Sequence, residues 1–206
     1  MENLAMITTI IVALITAVLG PVAVTWVKAK LEKKKKKNPM AEALETSGLI
    51  NKQLDDIMDE LNCDRVWVAQ FHNGGHFYPT GKSIQKFSVF YEKCKPSVPA
   101  IQNTFQNIPV SLFTQILSKI YDKGELEIFN TEIEDNTFGV AALSSQFKTK
   151  SMCVVGLYDL KDHLIGVMGI SFVEEHNIIT SEWIYIRQKV GVIGTLLSEY
   201  LSTTNK

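Results

Sequence analysis

The sequence predicts an α+β chain, with a single antiparallel sheet flanked by N- and C-terminal helices and preceded by one transmembrane helix. Three observations predict it. Residues 4–27 contain no charged side chain, apolar residues recur at helical spacing near both ends of the remainder, and paired runs of β-branched and aromatic residues lie between. Of the 206 residues, about 165 follow the leader and its basic flank, which suits one compact domain with a full core. A hydrophobic content of 46% excludes a wholly disordered chain, and three scattered cysteines exclude a disulfide-built scaffold.

The formal charge of −1 conceals a segregation. Residues 28–37, KAKLEKKKKK, carry seven Lys and one Glu, a local +6, whereas residues 38–206 carry −6. As a helix rising about 1.5 Å per residue, LAMITTIIVALITAVLGPVAVTWV (4–27) extends roughly 36 Å, enough to cross a hydrocarbon core of about 30 Å. A cleaved signal peptide would need a basic start and a shorter apolar run. Here Glu2 stands at the start and the basic cluster on the far side. That asymmetry places residues 1–3 outward and everything after Lys28 in the cytoplasm, at the inner (plasma) membrane.

Trp26 sits where an interfacial aromatic belongs. Lys28, Lys30, Lys33, Lys34, Lys35, Lys36 and Lys37 complete a membrane-surface set able to contact anionic lipid, at the head of a polybasic linker over 28–43. No aromatic residues interleave these lysines and the following domain is acidic, so nucleic acid is not an expected partner.

Asn38 and Pro39 end the basic run and suit a helix start. From about 41 to 62, Ile50, Leu54, Ile57 and Leu61 step 4, 3, 4, the seam of an amphipathic helix. RVWVAQF (65–71) reads as a buried strand, HNGGHFYPTG (72–81) as a loop, and KFSVFYEKC (86–94) as a second strand. Strict alternation in the latter sets Phe87, Val89 and Tyr91 on one face and Ser88, Phe90 and Glu92 on the other.

PVSLFTQILSKIY (109–121) has helix periodicity, ELEIFN (125–130) reads as a short strand and FGVAALSSQF (138–147) as a short helix. SMCVVGLYDL (151–160) and HLIGVMGISFV (163–173) form an antiparallel hairpin around Lys161–Asp162, an unusual turn without Gly or Asn. Thr180 and Glu182 introduce a helix from about 181 to 203, whose seam of Ile186, Val190, Ile193 and Leu197 steps 4, 3, 4.

This order of elements resembles the GAF fold, the small-molecule-binding sensory domain related to PAS. The resemblance covers roughly residues 44–203, leaving 204–206 as a tail. It sharpens at Phe71-His72-Asn73-Gly74, the glycine-containing loop and the strand carrying Phe87, Ser88, Tyr91 and Glu92, which look like a membrane-anchored GAF-like group common in bacteriophages and bacteria. The resemblance implies a ligand lying between the sheet and the helical middle, and dimerisation through the terminal helices. It names no ligand, so the cofactor is unknown.

The candidate ligand-binding set is His72, Asn73, Gly74, His76, Tyr78, Ser88, Tyr91 and Glu92. A strand ending in a polar Gly-rich loop brings side chains and free amides to the rim of a sheet, where a ligand meets convergent hydrogen-bonding groups. Ser88 and Glu92 are expected to point the same way, and an inward Glu92 needs a partner such as His72 or a ligand cation. The competing reading is a structural network in which His72 and Asn73 fix the turn and Glu92 satisfies backbone amides.

His72 and His76 are separated by Asn73-Gly74-Gly75, which denies them helical geometry, and no Cys pair completes a site, so no metal is expected. The cysteines read as reduced core thiols, and His163 and His176 as solvated loop-edge residues. Gly75-HFYPT-Gly81-Lys82-Ser83 imitates a phosphate-binding loop but has five residues between its glycines where four are required, and leads into a strand. With no nucleophile elbow, zinc-protease helix or kinase signature, an enzyme is not expected.

The expectation is therefore a non-catalytic, single-pass membrane protein whose cytoplasmic domain recognises a small molecule or a protein partner. It is expected to pair as a homodimer through Ile186, Val190, Ile193 and Leu197, assisted by confinement to the membrane. With no output domain expected after residue 206, a signal would leave through the membrane helix or a docked partner. An alternative of another class is a phage-encoded membrane, lysis-associated or virion-associated protein that uses the domain as an interaction platform.

Overall fold

The computed structural model describes residues 38–77, 79–131 and 146–203. The expected transmembrane helix at 4–27, Trp26 and the seven membrane-surface lysines, Tyr78, most of the helix expected at 138–147 and the tail at 204–206 lie outside the described residues. Among the described residues no helix is long and apolar enough to cross a membrane.

Helix α1, Pro39–Leu61, starts where the Asn38 side chain accepts the Met40 amide at 3.0 Å, with Pro39 in the first turn where its missing N–H costs nothing. It ends as Asn62 turns left-handed, φ +46°. Strands β1 (Arg65–His76) and β2 (Ser83–Cys94) pair antiparallel. A short β3 (Ile108–Pro109) borders β2 and leads through a 3-10 turn, Val110–Phe113, into α2 (Thr114–Lys123). Gly124, φ +80°, closes α2 by donating to Ile120 O at 2.7 Å. Then come β4 (Glu125–Ile128), β5 (Ser151–Tyr158), β6 (Leu164–Phe172) and α3 (Thr180–Thr203).

The six strands lie in one sheet, in the order β3-β2-β1-β6-β5-β4, with every neighbouring pair antiparallel. Both faces are covered. Seams of α1 (Ile50, Leu54, Ile57, Leu61) and α3 (Ile186, Val190, Ile193, Leu197) pack on Val66, Val68, Val155, Met168 and Ile170. On the opposite face Ile116 and Ile120 of α2 pack with Trp67, Ala69, Val89, Val154 and Val167. The expected single antiparallel sheet with the terminal helices on one face is therefore present, and the helical middle covers the other.

Four expectations need correction. The polar stretch 72–81 is not a free loop: β1 runs to His76 and β2 starts at Ser83, with His72 opposite Lys86, Asn73 opposite Gln85 and His76 opposite Ser83. The ladder survives because it slips between Asn73 and His76, where Gly75 takes φ +109°. Second, the 151–173 turn spans Asp159–His163: the Asp159 carboxylate accepts the Lys161 and His163 amides at 2.8 and 2.9 Å, and Asp162 supplies the left-handed step at φ +60°.

Third, Ser88 and Glu92 do not share a face. Val68 pairs with Tyr91 and Ala69 with Val89, so Phe90 is an extra residue in β2 and the alternation inverts there. Glu92, opposite Trp67, points to the α2 side; Ser88, opposite Gln70, points to the other. Fourth, Ile186, Val190, Ile193 and Leu197 cannot form a seam between two copies, because α3 buries them against its own sheet at 0 to 9% exposure. Its outward side carries Ile184 and Val192 instead.

Candidate functional site

Between the sheet and α2 lies a cavity of about 40 Å³. Its floor is Trp67, Val89, Val154 and Val167, which β1, β2, β5 and β6 each turn to the α2 side; Ile116, Leu117 and Ile120 roof it. Among the described residues every lining side chain is aliphatic or aromatic apart from Met152, and the polar atoms they carry are the Met152 sulfur and the Trp67 indole nitrogen. Of the expected ligand-binding set, none of the described residues lines this cavity.

One wall is the segment 101–107, which leaves the sheet and returns along the edge of β2. It turns Ile101 and Phe105 into the cavity, and Phe105 meets Phe113 and Phe147 at ring separations of 6.1 and 5.8 Å. Polar side chains tie its backbone down like a lid. The two Glu92 oxygens accept the Ile101 and Gln102 amides at 2.8 Å each, and Ser88 Oγ accepts the Asn107 amide at 2.9 Å. Gln106 donates to Val89 O at 2.7 Å and Gln102 to Phe90 O at 2.8 Å, while Val89 N donates to Phe105 O at 2.9 Å.

Glu92 is thus a structural anchor whose cation is Arg65, not His72 or a ligand cation. Arg65 Nε faces Glu92 Oε1 at 3.3 Å, with both side chains almost wholly buried (1% and 3% exposed). The rest of the guanidinium donates to Thr149 Oγ1 at 2.9 Å, Pro99 O at 2.6 Å and Phe147 O at 2.8 Å. Burial pulls the Arg65 pKa below its ordinary value, with Glu92 opposing that shift. The pair joins β1, β2, the lid and the chain at 147–149. Sequence reasoning missed Arg65 because a lone Arg at the head of an apolar strand gives no signal until its partner's direction is known, and the Phe90 bulge sets that direction.

The remaining candidates separate into other places. Ser88 Oγ accepts from the Asn107 amide and lies 2.9 Å from His72 Nε2, while His72 Nδ1 lies 3.4 Å from Asn73 O. Asn73 Oδ1 accepts from Gln85 across the exposed arm at 3.1 Å, and Gly74 leaves space for the Lys86 side chain. His76 is exposed at the end of β1. Tyr91 lies on the opposite face, its hydroxyl 3.3 Å from Ser47 Oγ of α1.

His176 is not simply solvated: it stacks on Phe172 at 4.0 Å and reaches Glu182 at 3.2 Å, while Glu182 also accepts the Ile179 amide at the start of α3. Cys63 and Cys153 are buried thiols, with burial pushing Cys63 up to about 12. Among the described residues no group of three potential metal-ligating side chains converges.

A six-stranded antiparallel sheet with terminal helices on one face and a cavity under a short helix on the other is the architecture of a GAF domain, and solved structures show that likeness directly. The chain is similar to the blue-light-absorbing form of the Thermosynechococcus elongatus PixJ GAF domain, with a TM-score of 0.63 at 17% identity, covering 80% of this chain and 92% of that one. It is similar to the phycocyanobilin-bound GAF domain of a cyanobacterial phytochrome, with a TM-score of 0.62 at 16% identity, covering 81% and 92%. A Synechocystis GAF domain in its photoproduct state gives 0.59 at 15% identity, covering 78% and 99%. No family model matches the sequence, and no curated protein does. At these identities the likeness is one of fold.

Proposed function

We propose that this chain is a non-catalytic, membrane-anchored binding domain, holding a small molecule in the cavity between the sheet and α2. The observation that carries this reading is the cavity itself, in a fold whose solved examples include a phycocyanobilin-bound form, closed on one side by a lid with its own hydrogen-bonded mounting. The lining supports a binding role over catalysis, since its described residues offer no nucleophile and no acid or base. We place the chain within the bacterial and phage GAF-like group on the strength of Phe71-His72-Asn73-Gly74.

The uncharged stretch at 4–27 anchors the domain as a single pass, and the +6 run behind it keeps the domain on the cytoplasmic side, drawn to anionic lipid. A homodimer would use the outward side of α3, where Ile184 and Val192 stand at 45 to 53% exposure.

A thermal-shift screen of metabolites, nucleotides and small nonpolar compounds on the purified full chain tests the ligand: at least one compound should raise the melting temperature, and a flat response across the panel refutes the reading. Alkaline carbonate extraction tests the anchor, which predicts retention in the membrane pellet and release once residues 4–27 are deleted.

A further inference from the structure

We infer that the cavity is specific for a small, uncharged, nonpolar molecule, selected against any ligand that brings a hydroxyl, carboxylate or phosphate into it. The inference rests on the ligand-binding reading of this cavity and adds the chemical class. Two observations carry it. The floor and roof present hydrocarbon, with Trp67, Val89, Val154 and Val167 below and Ile116 and Ile120 above. And, among the described residues, the polar side chains that mount the lid beside it are already partnered.

Glu92 accepts two lid amides and faces Arg65; Ser88 holds Asn107 and His72; Gln106 donates to Val89 O and Gln102 O. A polar ligand atom entering the cavity would leave its water partners and find none of these groups free, a penalty that a nonpolar ligand avoids. Volume sets the size. About 40 Å³ holds a few heavy atoms, and it is well below the roughly 150 Å³ of an apolar cavity that takes benzene, so a single ring is the upper limit and enters only by displacing lining side chains. A tetrapyrrole or nucleotide exceeds that many times over.

A matched pair tests the class. Toluene and phenol have the same heavy-atom skeleton and differ by a methyl against a hydroxyl. Titrated into the full chain and followed by the methyl resonances of Ile101, Ile116 and Ile120, toluene should shift all three saturably, and phenol should bind at least about tenfold more weakly, the ratio that corresponds to about 1.4 kcal/mol of unpaired hydroxyl.

Filling the cavity should abolish the toluene response: Val154→Leu adds one methylene at the floor, and Val167→Leu does so from the neighbouring strand should the first variant fold poorly. Phenol binding as tightly as toluene, or a toluene response that survives filling, overturns the inference. No toluene response overturns it too. If the metabolite panel still stabilises the chain, the binding reading stands and only the nonpolar class falls; if the panel is also silent, both fall.

Discussion

Glu92 gathers two backbone amides and one guanidinium into a site that is almost wholly buried, so its stability role is measurable without any ligand. Removing one partner of such a pair strands the other. Arg65→Met should cost about 3–5 kcal/mol in denaturant unfolding, and Glu92→Gln a comparable amount, whereas a carboxylate facing open solvent would be nearly neutral to substitution. The thiols offer a pH-dependent test. Burial raises Cys63 from 9.0 to about 12, so the folded state holds its proton more tightly than the unfolded chain does. The resulting stability is whole below pH 9 and is lost as pH climbs toward 12. Cys63→Ala should flatten that alkaline decline by up to about 1.4 kcal/mol per pH unit, read as unfolding free energy against pH. At this scale Glu92 was legible as a residue needing partners, and its amides were anticipated in kind. Arg65 was not, because which face a residue occupies depends on the register of the neighbouring strand.

Helix α3 and strand β6 show how far glycine position decides packing. In α3, a Cβ on Gly191 would meet nothing within 4 Å, while one on Gly194 would sit 2.8 Å from Tyr158 O of β5. Gly191→Ala should therefore stabilise the protein by about 0.8–1 kcal/mol through helix propensity alone. Gly194→Ala, with the same propensity gain, should be destabilising because the helix must lift off β5, and thermal melts of the two variants should move in opposite directions. In β6, a Cβ on Gly169 would collide with the Trp67 ring that floors the cavity, and one on Gly166 with the backbone of Ala69 in β1. The seams of α1 and α3 were legible because their burial follows a period of 3.6, and the β5–β6 hairpin because both strands are continuous apolar runs buried on both faces. The Phe90 bulge, the extension of β1 through Gly74 and Gly75 and the five-residue Asp159–His163 turn were not. Each breaks a period through a pairing that local sequence does not encode.

Across the whole described domain, one sheet serves two cores at once: even-numbered β1 residues Val66 and Val68 face α1 and α3, and odd-numbered Trp67 and Ala69 face α2. The charge segregation and the amphipathic terminal helices made the α1 and α3 core readable. The cavity core was harder to read, since its lid is assembled by side chains of β2 acting on a segment with no period of its own. A shared sheet ties the two cores together energetically, because neither helix layer keeps its partner surface if the strands separate. Two of the three tryptophans report on opposite sides, Trp67 on the cavity floor and Trp183 packed against the core of the helix-covered face. In a Trp26→Phe background, single-tryptophan variants retaining either one should each show a fluorescence midpoint that coincides with the far-UV circular dichroism midpoint of the same variant. Leu54→Ala, which empties a wholly buried position on the helix-covered face, should lower both midpoints equally, by about 2–5 kcal/mol of stability. A Trp67 transition that stays put while the Trp183 transition moves would mean that the ligand-facing half folds independently of the helices.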